Sequence, residues 1–116
     1  MTFLLGVGCS LYYVAIAQYH ASVLRAREQV LQENLIHIRM LLTRYVSDRG
    51  TPPRSLEELV KEGYLKEIPV DPVTEQKNWK IIYGVHRLSY SSPSGIIDIR
   101  STSTDTSSRG TPYSEW

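Results

Sequence analysis

The chain has 116 residues, enough for one small domain, and 13 Lys and Arg residues against 12 Asp and Glu give a formal net charge of +1. The cations do not cluster, and this even balance argues against the basic surface that binds nucleic acid. Cys9 is the only cysteine, which excludes an intrachain disulfide and a cysteine-based zinc site.

The N-terminal segment, residues 1–24, contains no Asp, Glu, Lys or Arg. Its length matches the roughly 20 apolar residues that a helix needs to cross a bilayer, so we predict a retained membrane helix. The apolar side chains expected to contact lipid or neighbouring helices are Phe3, Leu4, Leu5, Leu11 and Ile16. Two alternatives stay open: a secretory signal cleaved after Ala17, and a lipoprotein signal ending at Cys9. Neither has the basic region that precedes the apolar run of a signal peptide.

From Arg25 onward, apolar residues recur every three, four or seven residues, which is the period of one helix face. The stripe consists of Leu24, Leu31, Leu35, Ile38, Leu42 and Tyr45, widened by Val23, Ala26, Val30 and Leu41. Charged residues, including Glu28 and Arg39, are predicted to lie away from it. We predict an uninterrupted helix whose second half, residues 25–47, packs on its own domain and stops at Gly50.

The remainder of the chain predicts a short helix and a small sheet. Ser55 and Glu58 form a capping-box pattern, which opens a helix over residues 56–62 that Gly63 closes. Three strand-like runs separated by turn residues follow, at residues 79–83, 85–90 and 95–100.

In the last run, Ile97 and Ile99 alternate with Asp98 and Arg100, which predicts a half-buried strand. The predicted fold class is therefore α+β, with a long N-terminal helix packed against a short helix and a small antiparallel sheet.

The sequence offers no catalytic constellation. His20, His37 and His86 are too scattered for a metal motif, and no serine lies in a G-x-S-x-G turn. The acidic residues of the short helix are better explained as charges on a solvated face than as paired catalytic acids. We predict no enzymatic activity, no cofactor and no metal site.

The run from Tyr45 to Pro72 encodes a helix stop, a capped short helix, a second glycine stop and a rigid Asp-Pro turn. It resembles the major, G-type pseudopilins of type II secretion and their type IV pilin relatives. Shared motifs are Ser-Leu-x-x-Leu at 55–59, Gly-Tyr-Leu at 63–65 and Ile-Pro-x-Asp-Pro at 68–72. The resemblance also includes residues 15–19 and 25–28 and the ending 95–116, so it covers nearly the whole chain.

This resemblance implies a pilin-like fold with two parts: a transmembrane, filament-core helix segment over residues 1–24 and a periplasmic domain over residues 25–116. It implies a single-pass inner-membrane protein with its C-terminal domain in the periplasm. The implied function is structural: subunits self-associate into a pseudopilus that helps drive exoproteins through an outer-membrane secretin. The implied partners are other pseudopilins, the inner-membrane assembly platform and membrane lipid, with no nucleic acid. A type IV pilus subunit and a cleaved periplasmic binding module remain alternatives.

The start of the chain departs from the family. Members begin as prepilins with a short basic leader ending in Gly, followed by a Phe- or Met-Thr-Leu-x-Glu start, and this sequence has neither the leader nor that Glu. Arg25 and Arg27 follow the apolar segment, which by the positive-inside rule alone would orient the domain into the cytoplasm. We therefore expect an in-frame upstream extension that encodes a basic leader.

The C-terminal loop departs from the family as well. The resemblance implies Ca²⁺ bound by two Asp side chains and backbone carbonyls. Asp105 falls near the first of these positions, but residues 112–115 around the second contain no Asp. One assured carboxylate is too little for a shell of six to eight oxygens. We expect packing of Tyr113 and Trp116 to close the loop instead.

Overall fold

The computed structural model describes residues 2–85, 87 and 94–116, with side chains from residue 6 onward. Its elements are helix α1 (Thr2–Arg49), helix α2 (Leu56–Lys61), strand β1 (Lys80–Gly84), strand β2 (Gly95–Arg100) and a 3₁₀ turn (Tyr113–Glu115). The molecule measures 76 × 26 × 19 Å, because α1 alone is about 70 Å long at 1.5 Å per residue. The predicted α+β arrangement of a long helix, a short helix and an antiparallel sheet is confirmed.

Helix α1 is continuous, as predicted, but the domain covers only its second half. None of the described side chains from residue 6 to residue 27 is buried, and burial begins at Glu28. It then recurs on one face at Leu31, Leu35, Ile38, Leu42 and Tyr45. Leu24 and Val30, predicted to belong to this stripe, are 37% and 45% exposed. Leu24 lies before the covered half, and Val30 lies about 100° around the helix from Leu31.

The helix ends at Arg49 rather than at residue 47, and Gly50 stops it as predicted. Gly50 has a φ of 76°, the left-handed conformation that glycine adopts without strain, and its amide donates to the Val46 carbonyl at 2.7 Å. The connection then packs on the start of β2, where the Ile96 amide donates to the Pro53 carbonyl at 2.7 Å. A Cβ on Gly95 would lie 2.5 Å from that same oxygen, so the close approach requires glycine.

Helix α2 begins at Ser55, whose hydroxyl accepts from the Glu58 amide at 3.1 Å, as the capping pattern predicts. The Glu58 carboxylate does not reach back to the Ser55 amide. It accepts instead from the Arg54 amide at 2.5 Å and from the Tyr45 hydroxyl at 3.0 Å. Glu58 therefore joins α2 to α1. Burial and this hydrogen bond both raise the pKa of the Tyr45 hydroxyl.

The described sheet contains two antiparallel strands. Pairing runs from Lys80 opposite Arg100 to Gly84 opposite Gly95. Most of the strand predicted at 85–90 lies outside the described residues. The two members that are described, at positions 85 and 87, are not in a strand.

A register shift decides which face of β2 enters the core. It lies between Ile82 and Tyr83 and leaves Ile97 without a partner on β1. An unpaired residue of this kind breaks the alternation of side chains, so Ile96 and Ile99 both point inward and are fully buried. The predicted half-buried strand is present, but Ile96 and not Ile97 joins Ile99 in the core, and Ile97 is partly buried.

One apolar cluster joins these elements. The stripe of α1 clusters with residues from α2, the connection between α2 and β1, β2 and the C-terminal turn, namely Leu56, Leu59, Leu65, Trp79, Ile96, Ile99 and Tyr113. The Asp71 turn borders the cluster, with the buried Asp71 carboxylate accepting from the Ser101 hydroxyl at 2.6 Å and from the Val73 amide at 2.8 Å. The Asp71 carboxylate therefore holds this turn together.

We predict that Ile38→Ala lowers the free energy of unfolding by about 2–5 kcal/mol, because Ile38 is 1% exposed and its truncation leaves a cavity. The matched control is Ile36→Ala on the same helix, where the side chain is 48% exposed and the expected loss is about 0.5 kcal/mol or less. Urea denaturation of the full chain, monitored by tryptophan fluorescence, measures the free energy of unfolding of both variants. Equal losses in the two variants would show that the sheet does not pack on this face.

Candidate functional site

The N-terminal part of α1 is the first candidate site; we call residues 6–27 the projecting segment. Its large exposed apolar and aromatic side chains are Val7, Leu11, Tyr12, Tyr13, Val14, Tyr19, Val23 and Leu24. At about 100° per residue these side chains point in every direction around the helix. A helix that is apolar on all sides is normally surrounded by other helices or by lipid.

The predicted contact residues all lie on α1 but do not form a single face. Leu11 is 66% exposed, whereas Ile16 is partly exposed and lies about 140° further around the helix. The side chains of Phe3, Leu4 and Leu5 are outside the described part of the structure. Leu11 belongs to a shallow apolar surface formed with Gly6, Val7, Ser10 and Val14. Among the described residues, no helix is both long and apolar enough to cross a membrane.

The two glycines of the projecting segment are not required by close packing within this chain. A Cβ added to Gly6 or Gly8 would meet nothing within 4 Å. Small residues of this kind let the backbone of a second helix approach closely. Cys9 directly follows Gly8 and is exposed. Both glycines therefore leave open space beside the helix in this structure.

The C-terminal loop, residues 105–113, forms the second candidate site, where it meets α1 at Glu28. The Glu28 side chain is 6% exposed. It accepts hydrogen bonds from the Ser108 amide at 2.8 Å, from the Ser108 hydroxyl and from the Tyr113 hydroxyl at 2.8 Å. We call these three residues the Glu28 latch. It ties two parts of the chain that are 80 residues apart.

The prediction that Glu28 lies away from the buried stripe is wrong. Position 28 fills the gap between Leu24 and Leu31 in a repeat of alternating four- and three-residue steps. The helical period therefore did place Glu28 on the buried face. Its charge led to the opposite prediction, since a buried carboxylate needs donors that the helix alone does not show.

Hydrogen bonding sets the ionisation of the latch. Burial by itself would raise the pKa of Glu28, but the two hydrogen bonds from Ser108, the one from Tyr113 and the positive charge of Arg109 outweigh it and lower that pKa. Burial and the bond to Glu28 raise the pKa of the Tyr113 hydroxyl to about 12. At neutral pH the latch therefore joins an ionised carboxylate to a protonated phenol.

Further contacts hold the C-terminal segment along α1. The Arg109 guanidinium donates to the Gln32 side-chain oxygen at 3.0 Å and lies 4.5 Å from the centre of the Trp116 ring. Arg39 donates to the Trp116 carbonyl at 2.8 Å and to the Asp98 carboxylate at 2.7 Å. Arg39 lies beside the buried stripe, and its side chain holds the C-terminal carbonyl and β2 against α1.

The expected packing of Tyr113 and Trp116 is confirmed. Their ring centres are 5.4 Å apart, Tyr113 is 4% exposed, and Trp116 packs against the edge of the core. The Trp116 indole N–H also donates to the Thr111 hydroxyl at 3.1 Å. The aromatic pair thus closes the end of the loop.

The loop does not fit the calcium site that the family resemblance implies. Asp105 is exposed, and its backbone carbonyl accepts from the Tyr113 amide at 3.0 Å. Within the described residues, no three His, Cys, Asp or Glu side chains come together as a possible metal site. The loop directs amide and hydroxyl donors at Glu28, whereas Ca²⁺ requires converging oxygen acceptors.

Comparison with protein-family models, curated proteins and solved structures finds no match to this chain.

We predict that the thermal stability of the fold falls at both acidic and alkaline pH. Because the pKa of Glu28 is lowered from 4.5, its contribution is present above pH 4.5 and is lost as the pH falls below it. Because the pKa of Tyr113 is raised from 10.0 to about 12, its contribution is present below pH 10.0 and is lost as the pH rises towards 12. Melting temperatures across this range should form a plateau with a fall at each end.

The variant Tyr113→Phe separates the alkaline limb of the latch from that of Tyr45, whose pKa is also raised. The variant should melt lower than the wild type on the plateau, and this difference should shrink as the pH rises from 10 to about 12. A difference that stays constant over this interval would mean that Tyr113 does not contribute through its proton.

Proposed function

We propose that this chain is a structural subunit of a pilin-like filament, in which the projecting segment packs against the same segment of other copies. The observation that carries this proposal is the division of α1. The domain covers the helix only from Glu28 onward, and the part before it exposes apolar side chains on every side.

The energetic cost of exposing this segment supports association. Apolar surface removed from water stabilises by about 25 cal/mol per Å², or about 1.5–3 kcal/mol for a fully buried Val or Leu side chain. Val7, Leu11 and Val14 are each 44–66% exposed, so much of this stabilisation is still available. Association with other helices or with lipid would supply it.

The polar groups of the segment favour neighbouring helices over lipid alone. Ser10, Gln18 and the hydroxyls of Tyr12 and Tyr13 lie among the apolar side chains. Polar groups in an apolar environment need hydrogen-bond partners, and helices provide them where lipid tails do not. A bundle of projecting segments at the core of a filament would satisfy both the apolar and the polar side chains.

The exposed projecting segment and the family resemblance of residues 45–72 together support a pseudopilus of type II secretion as the specific assembly. The chain would be anchored in the inner membrane with its domain in the periplasm, alongside other pseudopilins and the assembly platform. The filament would help push exoproteins through an outer-membrane secretin. Genes next to this one distinguish such a subunit from a type IV pilus subunit.

We predict that Val14→Asn impairs assembly while the domain stays folded. Val14 is 54% exposed on the projecting segment, and Val70 is 47% exposed on the domain, so Val70→Asn makes a similar change in a place that the proposal leaves free. After dilution from detergent, ultracentrifugation and electron microscopy should show filaments for wild type and Val70→Asn. The critical concentration of Val14→Asn should be about tenfold higher, since an apolar contact is replaced by a buried amide.

Equal critical concentrations for the two variants would contradict the proposal. So would mass spectrometry of the protein from cells if it showed a mature, soluble species that begins at Gln18. The projecting segment would then be removed before the protein acts, as in a cleaved periplasmic binding module.

A further inference from the structure

The donors of the C-terminal loop converge on a single negatively charged group. One carboxylate oxygen of Glu28 accepts from the Ser108 amide and from the Tyr113 hydroxyl, each at 2.8 Å. The other oxygen accepts from the Ser108 hydroxyl. One backbone donor and two side-chain donors thus surround a carboxylate that is 6% exposed.

Three carbonyl oxygens of the same loop are engaged in its own hydrogen bonds. Those of Asp105, Ser107 and Thr111 accept from the amides of Tyr113, Gly110 and Ser107, at 3.0, 3.0 and 2.8 Å. The groups of the loop that contact Glu28 are all donors, namely the Ser108 amide, the Ser108 hydroxyl and the Tyr113 hydroxyl. This polarity suits an anion and opposes a cation.

The positive charge of Arg109 agrees with this polarity, since it attracts the Glu28 carboxylate. Burial and the hydrogen bond to Glu28 raise the pKa of the Tyr113 hydroxyl and so keep it protonated as a donor, and the charge of Asp105 acts in the same direction. Arg27 acts on Tyr113 in the opposite direction, and its effect is smaller than those of burial and Glu28.

We propose that the loop of residues 105–113 is a carboxylate-binding cradle whose ligand is Glu28 of the same chain, so that the domain fastens onto α1 by an internal anion without calcium. The position of Glu28 also places this contact at the boundary of the projecting segment. Among the described side chains Glu28 is the first buried one along α1, so the latch lies where the projecting segment ends. This holds whether or not the chain assembles into a filament.

Replacement of the internal ligand by a small free carboxylate tests the cradle. Glu28→Ala keeps the helix-forming backbone but removes the carboxylate and leaves room for formate. Hydrogen exchange of the Ser108 amide, measured by nuclear magnetic resonance on the full chain in detergent, should become about tenfold faster than in wild type. Sodium formate should slow it again, and sodium chloride at the same concentration should not.

Two further variants act as controls. Glu33→Ala removes an exposed carboxylate from the same helix and should change the exchange of Ser108 little. Glu28→Gln keeps the size of the side chain but offers an NH₂ group to donors, so exchange should be faster than in wild type even if Glu28→Ala fails to fold. Wild-type exchange should be the same in calcium chloride and in the presence of a chelator.

Three results would overturn the proposal. The first is wild-type protection of Ser108 in Glu28→Gln, which would show that the negative charge is not needed. The second is failure of formate to slow exchange in a folded Glu28→Ala protein. The third is loss of Ser108 protection in the wild-type chain on chelation of calcium, which would show that a cation holds the loop.

Discussion

The buried stripe on the second half of α1 is the surface on which the rest of the domain is folded. The described sheet has two strands and α2 has six residues, and elements this small do not form a stable core alone. Leu31, Ile38 and Leu42 are fully buried in the cluster that also contains residues of α2 and β2. The C-terminal segment meets the same helix at Glu28 and Arg39, so apolar packing and polar contacts fix the domain on a single rigid element.

This dependence divides α1 into two environments. From Glu28 onward one face of the helix is covered by its own chain, with the apolar stripe in the core and Glu28 held by Ser108 and Tyr113. Before Glu28 the helix exposes apolar side chains on all sides and two glycines without neighbours. The latch lies at the boundary between these two environments.

The sequence was sufficient where local chemistry decides the structure, as at the left-handed Gly50 and the Ser55 cap. It was insufficient where the deciding partner is distant in the chain. The inward turn of Ile96 depends on a bulge opposite β1, and the burial of Glu28 depends on donors 80 residues away. Of the candidate site, the apolar character of the projecting segment was predictable from composition. The latch was not, because a charge on a helix is normally assigned to solvent.

The central claim is that projecting segments of different copies lie side by side, and cross-linking through Cys9 tests it most directly. Cys9 is the only cysteine in the chain and is exposed on this segment, so thiol-specific cross-linking can produce dimers but nothing larger. With bismaleimides of increasing spacer length, assembled wild-type protein should give dimers, and Cys9→Ser should give none. An assembled sample that stays monomeric at every spacer length, with Cys9 still open to a water-soluble maleimide, would contradict the account.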